Sequence, residues 1–102
     1  MEKNKRLKLA RRGWKTGDAA EFLGLSPEEA AYVELKSSLS RSLREKREGL
    51  HLTQHALAKE LRSSQSRVAK MEKGDPTVSV DLLLRSLFKL GTSRRELAGM
   101  VA

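Results

Sequence analysis

Apolar residues recur along this chain at helical spacing, and no stretch alternates apolar and polar long enough to predict a strand. Asp18 can cap a short helix through Leu23, with Gly24 placed for a left-handed stop. Ser26-Pro27-Glu28-Glu29 then supplies a cap, a proline suited to the first helical position and two carboxylates near the positive helix end. The helix that follows carries Ala31, Leu35, Leu39 and Leu43 on one stripe, runs to about Glu48 and is ended by Gly49. Thr53 caps a short helix, Gln54–Leu61. Ser64 caps a second, Gln65–Lys73, which Gly74 stops and Pro76 bars from continuing. Ser79 opens Val80–Leu90, with Val80, Leu83, Leu84, Leu87 and Phe88 as its core stripe, and Gly91 stops it. Ser93 opens a last helix in which Leu97, Met100 and Val101 either finish the core or cover a twofold interface, the interface being preferred. The total is five or six helices, with no internal repeat.

The length of 102 residues allows one domain. Leu82-Leu83-Leu84 is the longest leucine run, far short of the roughly 20 apolar residues of a membrane span. No signal peptide is visible, and without cysteine there is neither a disulfide framework nor a thiolate metal site. Both features fit a cytoplasmic protein.

Charge changes the picture more. Lysine and arginine exceed the acidic residues by 21 to 13, a net charge of +8. A polyanion is the expected partner, usually nucleic acid. Aromatic residues are 4% of the chain, namely Trp14, Phe22, Tyr32 and Phe88, too few for base-stacking platforms, so duplex DNA is favoured over unpaired bases. Residues 1–15 carry seven basic residues and one acidic, which marks them off as a basic N-terminal arm. The arm is either a solubilising tail or one that follows phosphates or orders on a partner protein. The remaining residues, 16–102, form the domain.

Function concentrates in Leu50–Gly74, LHLTQHALAKELRSSQSRVAKMEKG. Two short helices are joined by a connection of about three residues, with small Ala58 where their axes approach. Val68 and Met71 face Leu57 and Leu61. A helix-turn-helix, here at 53–74, needs such a rigid corner to present the other side of its second helix. That side holds Gln65, Ser66, Arg67 and Lys70, which are assigned to base reading: Gln65 can pair bidentately with adenine, and Arg67 with guanine. Thr53, Gln54 and Ser64 lie at helix N-termini, which favour phosphate oxygens.

These residues carry a resemblance. Leu52–Gln54, Leu57-Ala58, Ser64–Ser66, Val68 and Met71–Gly74 resemble the XRE-type helix-turn-helix of lambdoid phage repressors and Cro proteins, over roughly Leu50 to Leu90. The resemblance implies an all-α, lambda-repressor-like five-helix DNA-binding domain, here with an N-terminal helical extension. It implies that Gln54 meets a phosphate, that Gln65, Ser66 and Lys70 face the major groove, and that Lys73 approaches the DNA backbone beyond the recognition helix. Arg62 stands where that family usually has glycine. A left-handed residue there would cost about 1–2 kcal/mol, so either the turn avoids that conformation or the strain is tolerated. Arg62 is read as a phosphate contact.

The segment Trp14–Ser26, followed by a long helix and the helix-turn-helix, is similar to HigA-like antitoxins. That similarity implies a homodimer that represses its own operon by binding operator DNA, and a RelE/HigB-type toxin as a second partner. Two other readings remain open: a free-standing transcriptional regulator, and a protein-interaction module with weak DNA binding. His51 and His55 have the spacing of a helical metal pair, but Thr53 caps a helix between them and no third ligand is evident. No nucleophile elbow or phosphate loop appears, so no metal, cofactor or catalytic residue is expected.

Overall fold

The computed structural model describes residues 24–102, so the expected helix from Asp18, the basic arm and the Trp14 segment lie outside the described residues. Among the described residues there are five helices and no strand: α1 Pro27–Gly49, α2 Gln54–Glu60, α3 Gln65–Lys73, α4 Val80–Lys89 and α5 Arg94–Val101. Residues 24–35 fall in one compact unit and Lys36–Ala102 form another.

In the first unit, Gly24 is left-handed at φ 71°, as a helix stop requires. Ser26 and Glu29 form a capping box: the Glu29 N–H donates to Ser26 Oγ at 3.2 Å, and the Ser26 N–H to Glu29 Oε1 at 3.1 Å. Ala31, expected on the apolar stripe, is exposed, as are Tyr32 and Val33.

The second unit buries Leu39 and Leu43 of α1, Leu57 and Ala58 of α2, Val68 and Met71 of α3, Val78, and Leu83 and Leu87 of α4. Helices α2 and α3 pack directly on each other. Leu61 is half-buried and caps α2 rather than completing its core side. The expected α4 stripe is too wide: Val80 and Leu84 are half-buried and Phe88 is 44% exposed, so the core face narrows to Leu83, Ser86 and Leu87. Ser86 is tolerated because its hydroxyl donates to the Leu82 carbonyl at 2.8 Å. Helix α5 has no fully buried residue; Leu97 and Met100 are half-buried and Val101 is exposed.

Four helix ends close by the same wrapped geometry, in which a left-handed residue lets the next N–H reach back five residues. At α3 and α4 that residue is Gly74 or Gly91. At α1 it is not Gly49 but His51, at φ 58°, and Leu52 N–H reaches the Arg47 carbonyl at 3.1 Å. At α2 it is Arg62, at φ 54°, and Ser63 N–H reaches the Ala58 carbonyl at 2.8 Å. The turn therefore adopts the strained conformation in place of avoiding it.

Candidate nucleic-acid interface

Caps define the corner. Thr53 Oγ1 accepts from Ala56 N–H at 3.0 Å, and Ser64 Oγ from Arg67 N–H at 3.1 Å. Both hydroxyls keep their own proton free to donate outward. Between the caps, the chain turns in four residues from Leu61 to Ser64, which fixes α3 against α2.

Successive side chains on α3 turn by about 100° around the helix axis. Val68 and Met71 point into the core. Ser66, Lys70 and Lys73 share the opposite side, all exposed, with exposed Gln65 and Arg67 on its two flanks. The lone carboxylate of α3, Glu72, is turned inward with 4% of its side chain exposed. The outward side of α3 is thus free of negative charge and carries two cations, Lys70 and Lys73, with a third, Arg67, on its flank.

Glu72 anchors a polar chain that reaches the helix start. Arg47 of α1 donates to it twice, from Nε at 2.6 Å and from a terminal nitrogen at 3.0 Å, and donates a third bond to the Leu52 carbonyl at 2.7 Å. Bonding to Glu72 raises the Arg47 guanidinium above its ordinary value, against the opposing effect of burial. Gln54 Nε2 donates to the same carboxylate at 3.2 Å, and Gln65 Nε2 donates to Gln54 Oε1 at 2.6 Å. After these bonds Gln65 retains one N–H and its carbonyl oxygen, the donor and acceptor that an adenine edge requires. Gln54 retains one N–H.

A shallow hollow of about 230 Å³ lies beside α3, lined by Ser64, Ser66, Arg67 and Lys70 on the helix and by Thr77 and Val78 from the following segment. Asp75 does not open into it as a free acid. Its carboxylate accepts both the Thr77 hydroxyl and the Thr77 N–H, which hold it below the usual carboxylate range. Lys36 Nζ donates to the Asp75 carbonyl at 2.9 Å and ties α1 to the end of α3.

Of the residues assigned from sequence, Gln54 and Gln65 are bonded to each other, and Ser64, Ser66, Arg67 and Lys70 share one hollow. Arg62 is exposed in the turn and does not line this hollow, while Arg67 lines it and also shares a second depression with Arg62. Thr53 is at the start of α2, and Lys73 is in the last turn of α3. Arg47, Glu72 and Thr77 were not singled out. Arg47 continues the Leu35-Leu39-Leu43 spacing by one more step of four, and Glu72 lies two turns beyond Gln65 on the same side; both signals are visible in the sequence. Among the described residues no group of three or more His, Cys, Asp or Glu side chains is placed to hold a metal, and no helix is long and apolar enough to cross a membrane.

No curated protein and no solved structure matches this chain. A family model described as a helix-turn-helix domain matches residues 22–93, which takes in α1 through α4 and both corner helices. The chain belongs to this helix-turn-helix domain family.

Proposed function

We propose that this protein is a sequence-specific binder of double-stranded DNA that represses transcription, in the XRE/Cro-type branch of helix-turn-helix proteins. The observation that carries the reading is the outward side of α3, which presents Ser66, Lys70 and Lys73 while its lone carboxylate is buried against Arg47. With α3 in the major groove, Gln65, Ser66 and Lys70 read base edges and Arg67 reaches in from the flank. Thr53, Gln54, Arg62, Ser64 and Lys73 take phosphates and set the register. One such helix reads only a few base pairs. A homodimer spanning two half-sites about one helical turn apart multiplies the readout.

The antitoxin reading rests on the similarity of Trp14–Ser26 and the following long helix to HigA-like antitoxins. It makes this repressor the regulator of its own operon and the partner of a RelE/HigB-type toxin. A toxin-sized reading frame beside the gene, and growth rescue on co-expression, are its expected outcomes. A solitary gene leaves a free-standing regulator instead. The DNA reading is tested by selecting bound duplexes from a randomised pool. The selected duplex is then titrated against random duplex at several salt concentrations. Tighter binding of the selected duplex supports sequence readout, and equal affinities would remove it; a steep salt slope alone reports phosphate contact.

A further inference from the structure

Two cations near the corner take no part in the DNA reading. Where the α2–α3 turn approaches α4, a groove of about 380 Å³ lies open to solvent along one side. Its floor is apolar, formed by Leu61, Leu82 and buried Met71. Its rim carries Arg62, Arg67, Arg85 and Lys89, against one acid, Glu60. Arg85 also reaches Asp81 at 3.1 Å, but the two side chains are 78% and 72% exposed, and a pair so open to water is easily redirected.

We propose that this groove docks a short acidic segment of a partner protein, with one apolar side chain seated on Met71 and Leu82 and flanking carboxylates gripped by the rim. Charge complementarity argues for the occupant: four cations face the groove and one carboxylate opposes them. Arginine forks bind carboxylates bidentately, and arginine is enriched at protein–protein contacts. The open side argues against a small molecule, since small-ligand sites enclose most of the ligand. The groove shares Arg62 and Arg67 with the proposed DNA contacts, whereas Arg85 and Lys89 lie outside them, so the test is placed on Arg85 and Lys89.

The test uses the full chain and three labelled peptides. The first has one phenylalanine flanked by glutamates, the second replaces that phenylalanine with serine, and the third replaces the glutamates with lysines. The first should bind about tenfold more tightly than the second, a difference near 1.4 kcal/mol, and the third should not bind. Its binding should shift the NMR signals of the Met71 methyl and of Leu82. The double variant R85S/K89S should lose about tenfold in peptide affinity while its melting temperature and selected-duplex affinity stay near the parent's. Equal binding of the two acidic peptides, or unchanged binding by R85S/K89S, overturns the proposal. So does a duplex, in place of the peptide, shifting Leu82 in a manner that requires Arg85 and Lys89, because the groove then belongs to the DNA surface.

Discussion

Arg47 and Glu72, 25 residues apart in sequence, meet through two parallel hydrogen bonds that join α1 to α3, the second helix of the helix-turn-helix. Their side chains are only 12% and 4% exposed, so neither charge is well solvated without the other. Removing one partner of such a buried pair costs about 3–5 kcal/mol, whereas replacing both with apolar groups costs much less. Arg47→Met should therefore destabilise by about 3 kcal/mol in urea unfolding, and R47M/E72L should recover much of that loss. Equal and additive losses in the two single variants and the double would mean that the pair contributes no coupling.

Most of the helical framework was legible from short-range rules. The caps Ser26, Thr53, Ser64, Ser79 and Ser93 all sit where hydroxyl residues precede apolar periodicity. What escaped was set by tertiary context. Helix α1 does end at Gly49, but the left-handed residue that closes this end is His51, two residues on, where the next N–H reaches back to Arg47. Phe88 fits the α4 period, yet the second unit is small and its core closes on Leu83 and Leu87. The outward face of α3 was readable because it is set by spacing within one helix. The spacing that places Arg47 was visible too, but its bond to Glu72 crosses from α1 to α3, and no short-range rule pairs the two.

Arg62 and His51 both stand in left-handed conformations that glycine adopts without steric cost. Arg62→Gly and His51→Gly should each raise stability in urea by about 0.5–1 kcal/mol, the relieved strain being partly offset by the greater freedom of unfolded glycine. The two should differ on DNA: Arg62→Gly weakens selected and random duplexes alike through a lost phosphate contact, and His51→Gly leaves both unchanged.

Acid should weaken the fold. The Ser26 N–H holds Glu29 below the ordinary carboxylate range, the Ser93 N–H and then Lys46 do so for Glu96, and Thr77 does so for Asp75. Each group favours the folded chain above its unfolded pKa, and that contribution is lost as pH falls through the lower folded value. The melting temperature should fall between about pH 5 and pH 3. Glu96→Gln keeps an acceptor for the Ser93 N–H but loses the charge, so it should lower the melting temperature at neutral pH, match the parent at low pH and thereby flatten this slope.

Val101, at 43% exposure, and half-buried Leu97 and Met100 leave α5 with an apolar side that the second unit does not fully cover. With the proposed homodimer built on α5, Val101→Glu should give a monomer in sedimentation, with monomer stability changed by less than about 0.5 kcal/mol. Affinity for a two-half-site duplex should drop steeply. An unchanged dimer would move the interface elsewhere.

Gln65 and Gln54 are bonded to each other; the proposed reading gives the first a base edge and the second the DNA backbone, and the ratio of selected-duplex to random-duplex affinity tests this division directly. Gln65→Ala should lower that ratio by about 1–3 kcal/mol in free energy with little loss on random duplex, and Gln54→Ala should weaken both duplexes. An unchanged ratio in Gln65→Ala, at matched salt and with the variant folded, would contradict the assignment of α3 as the helix that reads sequence.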